Sequence, residues 1–301
     1  MKIPKQSATL QQIVDFYRTS SAFRRLSISS QKDYDYQLDA VCDTVVEEKP
    51  LGLYRNKQIK VRHLMQAYEL WLNDGIRSAN YRKSVLSAAW KHGMRYDIMT
   101  HNPVTLIQTV SSPPRRQTWD RDQVVKFLNY AYSDFRWRSI GLIVHMAYSW
   151  GQRVGDMRLL SWSDLDLDQC RLDLSQSKRG AEIHLPISEE LCDMLRQQKE
   201  DYGFQDIVAP YPDPVGSSLR PYNKGDIARH INKILQEVNL PLELTAMDLR
   251  RTAVTEMMEG NVDITGIMQV TGHQNVASLK PYMVNTFSGA TKALAARKDN
   301  E

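Results

Sequence analysis

"LTAMDLRRTAVTEMM", residues 244–258, is the stretch on which the reading of this chain turns. Asp248-Leu249-Arg250-Arg251-Thr252 reads as the opening of an amphipathic helix with two adjacent arginines, and Met247 stands directly before them. Neighbouring helical residues point about 100° apart, so only one of the pair can face a common ligand. Taken alone, the two arginines are satisfied by a surface role, bonded to nearby carboxylates such as Asp248. What lies on either side changes that reading.

Downstream, "TGHQNVASLKPYMV" carries His273 and, nine residues later, Tyr282. Upstream, "GQRVGDMRLLSWSDLDLD" carries Arg153 at the end of an apolar helical pattern, with Asp156 three residues on. Between them "CRLDLSQ" and "AEIHLPI" alternate apolar and polar residues at period two and are separated by "SKRG". This pattern predicts a β-hairpin with Lys178 at its tip.

Further out, "TVSSPPRRQTW", residues 109–119, combines two prolines, small polar residues and Arg115 and Arg116. It reads as a linker between a domain over 1–112 and one over 117–301. The first domain is helical throughout. Leu10, Ile13, Val14 and Tyr17 keep the i, i+3, i+4, i+7 spacing, and a second helix from about Ser30 carries Tyr34, Leu38, Val41 and Val45. A third holds Val61, Leu64, Met65, Tyr68 and Leu72. A fourth, from about Ser78, holds Tyr81, Val85, Ala88 and Ala89 and is expected to end near Gly93. The second domain reads as helices around a small sheet, with Asp120 and Asp122 opening its first helix. The fold class is therefore mainly α with a small β-sheet.

Composition narrows the function. No uninterrupted apolar run approaches a membrane span, and the first residues lack the pattern of a signal peptide, which suggests a cytoplasmic protein. Cys42, Cys170 and Cys192 lie far apart with no metal-ligand spacing, so they read as packed thiols rather than a disulfide framework or a metal site. The net charge of +4 is unevenly spread. Residues 1–116 hold 18 Lys+Arg against 10 Asp+Glu, and the remainder 21 against 25. A basic front suits a polyanionic partner.

The ordered set of Arg153 with its acid and Leu-Leu-x-Trp-x-Asp, a hairpin lysine, Asp-Leu-Arg-Arg-Thr, Gly-His and Tyr282 resembles the tyrosine recombinase (phage integrase) family. The resemblance covers essentially the whole second domain. More weakly, "YRKSVLSAAWKHGM" and "NPV" are similar to that family's core-binding domain. It implies a helical core-binding domain followed by an α+β catalytic domain, closing as a clamp on double-stranded DNA. Tyr282 would attack the scissile phosphate to form a 3′-phosphotyrosyl link, and Arg153, Arg250 and His273 would hold the phosphate oxygens. Lys178 would protonate the leaving 5′ oxygen, and Asp156 would orient Arg153. Guanidinium forks match phosphate oxygens, so neither metal, cofactor nor ATP is expected. Arg251 and Asp248 would be structural neighbours. Arg24, Arg25, Lys32, Arg77, Arg82 and Lys83, with the linker arginines, are candidate DNA contacts.

The resemblance further implies a homotetramer in the complex that joins two duplexes, a monomer when alone in solution, and exchange of a C-terminal segment such as "SGATKALAARKDN". That segment would be helical, opened by Ser288 with Ala290 and Leu294 on its apolar side. The early start of the core-binding pattern suggests that no amino-terminal arm-binding domain precedes it. One position departs from the family, whose histidine three residues before the second arginine is here Met247. A thioether cannot exchange a proton near neutral pH. Loss of a general base slows such a reaction about 10²- to 10⁴-fold without abolishing it. The rivals are type IB topoisomerase-like relaxation, a DNA-binding regulator with an impaired site, and a metal-dependent nuclease, which the absence of an acidic cluster disfavours.

Overall fold

The computed structural model describes residues 4–177, 180–212 and 219–282, together with 291 and 295. It divides into two compact units, Met1–Pro113 and Pro114–Glu301.

The first unit is a helical bundle of α1 (Leu10–Arg18), α2 (Ser21–Arg24), α3 (Ile28–Asp43), α4 (Val61–Leu72) and α5 (Ile76–Met94). A two-residue ribbon, β1 (Val45–Val46) with β2 (Lys49–Pro50), follows α3. Thr9 opens α1 with a reciprocal cap: its hydroxyl accepts from the Gln12 amide at 3.3 Å, and the Gln12 side chain accepts from the Thr9 amide at 3.1 Å. α5 is the hub and packs against α1, α3 and α4. It presses Val85, Leu86, Ala89 and Trp90 onto Leu10, Ile13, Val14, Leu38, Val41, Leu64 and Trp71. Each such side chain contributes roughly 1.5–3 kcal/mol on burial.

Three boundaries differ from expectation. α5 starts two residues early, at Ile76, and α3 ends at Asp43, so that Val45 falls in β1. α3 starts two residues early because Ser27, not Ser30, caps it. α5 ends at Met94, one residue past Gly93 and so near the expected place, and a Cβ on Gly93 would press on the terminal methyl of Met99. The short α2 and the β1–β2 ribbon had no periodic signal to announce them.

The second unit is built on α7 (Phe135–Ser149), which is buried from Trp137 to Ala147 on every face. Around it pack α6 (Arg121–Tyr132), α8 (Val154–Met157), α9 (Glu189–Tyr202), α10 (Lys224–Glu237) and α11 (Ala246–Glu259). α12 (Ile264–Thr271) packs on α11, and a 3-10 segment, Val276–Tyr282, follows. The expected hairpin is β4 (Arg171–Ser175) with β5 (Glu182–Pro186), in register from Arg171 opposite Pro186 to Ser175 opposite Glu182. Leu172, Leu174, Ile183 and Leu185 face the core, as period-two alternation requires. β3 (Leu165–Asp166) adds a third antiparallel strand, and β6 (Pro210–Tyr211) pairs with β7 (Arg220–Pro221). Among the described residues no helix is long and apolar enough to cross a membrane.

The expected linker is tied down at both ends. The Val110 amide donates to the Tyr68 hydroxyl at 2.8 Å within the first unit. In the second unit Arg115 reaches Asp248, and the Trp119 amide donates to Thr252 Oγ1 at 2.9 Å.

Candidate active site

Two helix ends of the same construction deliver the candidate residues. α7 stops where Gly151 takes the left-handed conformation (φ +58°), which releases the chain into Gln152 and Arg153. α12 stops at Gly272 (φ +69°), which releases it into His273. A helix C-terminus leaves carbonyl oxygens without intrahelical donors. Here buried side chains supply those donors.

Arg250, on α11 and 6% exposed, donates to Gly151 O at 3.1 Å and to Thr271 O at 2.8 Å. The guanidinium is therefore held at the negative ends of two helices. Burial nonetheless pushes its pKa down to about 10, with the charge of nearby Arg153 adding to the fall and Tyr282 opposing it. It stays charged at neutral pH, in a place where an anion would be welcome.

His273 is buried beside it. Thr271 Oγ1 donates to Ile267 O at 2.5 Å and so meets His273 Nδ1, 2.6 Å away, with a lone pair. That places a proton on Nδ1 and lets Nε2 accept from Arg250 Nη2 at 3.1 Å. Donation from Nε2 to a phosphate, the role expected of this ring, would require the doubly protonated ring, or the other tautomer together with release of the Arg250 contact. Tyr282 closes the cluster. Its ring makes an edge contact with His273, centroids 5.8 Å apart, and the Arg251 guanidinium sits over the ring at 5.0 Å from its centroid. Arg251 also donates to Pro281 O at 2.6 Å, so this arginine holds the tyrosine segment.

Arg153 joins through an unanticipated partner. Its nearest approach to Asp156 is 3.8 Å, and its hydrogen bond goes instead to Gln176 Oε1 at 2.7 Å. Asp156 holds the root of the hairpin tip, its Oδ1 accepting from the Ser177 hydroxyl at 2.5 Å and from the Ser177 amide at 3.3 Å. Asp156 thus keeps the expected ion pair with Arg153, and Gln176 adds a hydrogen bond to the same guanidinium. Lys178 lies outside the described residues, as do Ser288, Ala290 and Leu294 of the C-terminal segment.

Asp248 is not the partner of the paired arginines. It takes two hydrogen bonds from Arg115, both at 2.6 Å, and one each from the Thr245 amide and hydroxyl at 2.8 Å, so it caps α11. The carboxylate raises the Arg115 pKa through those bonds. Met247 projects outward, 73% exposed, on the first turn of α11.

The DNA-contact candidates separate by exposure. Arg24, Arg25, Lys32, Arg77 and Arg116 are exposed. Arg82 is buried and bound to Asp74 at 2.6 Å and Gln37 at 3.2 Å, while Lys83 donates to Ile107 O at 2.8 Å. Those two, with Arg115, are committed inside their own units, because each long side chain found a local acceptor that sequence spacing does not reveal. The residues that sequence reasoning missed are Gln152, Gln176 and Thr271. Their only signal was adjacency to Arg153, Lys178 and His273.

Residues 117–288, more than half of the chain, match the phage integrase family. The integrase of Enterobacteria phage 434 is 26% identical over 245 residues, covering 79% of this chain and 64% of that protein. The tyrosine recombinase XerC of Pelobacter propionicus is 24% identical over 233 residues, 73% of each chain. A solved lambda integrase tetramer bound to a Holliday junction superposes with a TM-score of 0.71 at 21% identity, over 90% of this chain and 79% of that one. The chain thus spans a little under two thirds of the phage 434 integrase's length. With the match running from the first helix of the second unit past Tyr282, the chain belongs to the phage integrase family.

Proposed function

We propose that this protein is a site-specific DNA recombinase that cuts and rejoins strands through Tyr282. The observation that carries this reading is the gathering of Tyr282, His273, Arg250 and Arg251 in one cluster, with Arg153 joined to it through Gln176.

In the proposed reaction the phenolic oxygen of Tyr282 attacks the scissile phosphorus and gives its proton to solvent water as the P–O5′ bond breaks. Lys178 gives a proton to the departing 5′ oxygen. Arg153 and Arg250 hold the charge that builds on the non-bridging oxygens, the kind of preorganised donor placement that lowers such barriers most. The 3′-phosphotyrosyl link conserves the energy of the broken bond, so a 5′ hydroxyl of another strand can reverse the step without ATP. Double-stranded DNA is the partner. A homotetramer joining two duplexes is supported by the lambda integrase tetramer on its junction, and the protein alone in solution is a monomer.

The test is covalent trapping. Wild type and Tyr282→Phe are incubated with fragmented DNA of the source genome and denatured in detergent, and the protein-linked ends are sequenced. Adducts in wild type alone, clustered at one sequence, are expected. DNA binding without adducts in either protein would make the chain a regulator that does not cut, and relaxation of supercoils without strand exchange would make it topoisomerase-like.

A further inference from the structure

The side chain that connects the two halves of the cluster is Gln176, 1% exposed at the end of β4. Its Oε1 accepts from Arg153 Nη1 at 2.7 Å. Its Nε2 donates to Thr271 O at 2.9 Å and to Gln152 Oε1 at 2.6 Å. An arginine can only donate and a carbonyl oxygen can only accept, so these partners determine which way the amide faces. Gln152 is fastened in the same manner, donating to Trp150 O at 2.9 Å and Val270 O at 2.6 Å. Both N–H groups of each amide are therefore used, and a fully satisfied buried network of this kind is rigid.

Thr271 O, which takes one of the Gln176 bonds, also takes one from Arg250. A continuous path thus runs from Arg153 through Gln176 and Thr271 O to Arg250. Gln176 also stands at the root of the hairpin tip. Its amide donates to Ala181 O and its carbonyl accepts from the Gly180 amide, both at 2.9 Å. The neighbouring glycine leaves room for it: a Cβ on Gly272 would fall 2.9 Å from three atoms of the Gln176 amide.

We infer that Gln176 is a positioning residue for strand cleavage, setting the distance between the Arg153 and Arg250 guanidinium groups. The inference rests on the recombinase reading above. In Gln176→Leu the Arg153 side chain loses its fixed acceptor, and misplacement of a binding group by about 1 Å can slow catalysis on the order of 10²-fold.

The experiment uses a duplex oligonucleotide carrying the cleavage site recovered from the adducts, nicked so that cutting releases a short strand. Single-turnover cleavage is measured for wild type, Gln176→Leu, Arg153→Ala and the double variant. Each is assayed on the natural phosphate and on a methylphosphonate at the scissile position. The methylphosphonate lacks the charge that Arg153 would balance, so it should relieve any defect transmitted through that arginine. Expected are a roughly 10²-fold loss for Gln176→Leu on phosphate, unchanged duplex binding, a double variant no slower than Arg153→Ala, and a shrunken defect on methylphosphonate. A loss that multiplies that of Arg153→Ala, or persists undiminished on methylphosphonate, would overturn the inference, as would wild-type cleavage by Gln176→Leu. If Gln176→Leu does not fold, Gln176→Glu keeps the acceptor toward Arg153. It gives up both donations from Nε2, to Thr271 O and to Gln152, and so breaks the path to Arg250; a loss on the order of 10²-fold is expected of it too, and wild-type cleavage would overturn the inference. No adduct in wild type takes down the recombinase reading and the inference together.

Discussion

Met247 lies one turn before Arg250 and Arg251 on the same face of α11, exposed to solvent while Arg250 is buried. Its thioether cannot take a proton from Tyr282. Met247→His should therefore accelerate single-turnover cleavage, by as much as about 10²-fold, because it returns a proton acceptor to this position. The gain should vanish as pH falls below about 6, since an imidazolium has no lone pair to offer. Stability should change by no more than about 0.5 kcal/mol, as for other exposed substitutions. Slower cleavage at neutral pH would show instead that the site is built around methionine. Candidate residues at this scale were legible where chemistry is tied to sequence spacing, as for Arg250, His273 and Tyr282. Gln176 was not, since nothing in a strand pattern distinguishes a glutamine that turns inward onto an arginine from one that faces water.

The same limit governs the elements. Strands β4 and β5 and helices α1, α3, α4 and α5 announced themselves by period, whereas α9, 14 residues long, went unread, and α2, the β1–β2 ribbon and β3 are too short to carry a period. Gly93 marks the end of α5 to within one residue, and the space that it leaves is taken by the end of the Met99 side chain. Asp248 shows a local motif claimed by a distant partner. In α11 it caps the first turn, and Arg115, 133 residues away in sequence, supplies its countercharge. Arg115→Ala leaves that buried carboxylate with only the Thr245 donors. The pair is partly open on the arginine side, so the loss should be about 2 kcal/mol, less than for a fully enclosed pair. For a unit of this size that is a fall of roughly 4–8 °C in melting temperature. Adding Asp248→Asn should recover part of it by removing the stranded charge. A melting temperature unchanged by Arg115→Ala would mean the ion pair contributes nothing.

Across the whole molecule the charge asymmetry was visible in the sequence, but which cations face outward was not. Long basic side chains bond to whichever acceptor folding brings near, and Arg82 and Lys83 found theirs at Asp74, Gln37 and Ile107 O. Charge reversal at those two therefore tests the bundle before it tests DNA. Arg82→Glu would bury a carboxylate near Asp74 and should destabilise the protein by about 3 kcal/mol or more. The informative set for DNA is Arg24, Arg25, Lys32 and Arg77, all exposed on the first unit. Phosphate contacts release counterions, so the logarithm of affinity falls with the logarithm of salt in proportion to their number, with a slope of about −0.9 per contact on duplex DNA. Reversing these four residues one at a time should weaken binding to a non-specific duplex and flatten that slope by about one for each residue that touches a phosphate. The melting temperature should stay within a degree or two of wild type, which separates lost contacts from lost folding. If all four variants keep the wild-type slope, the basic front is solvated surface, and the positive charge that meets DNA must come from the second unit.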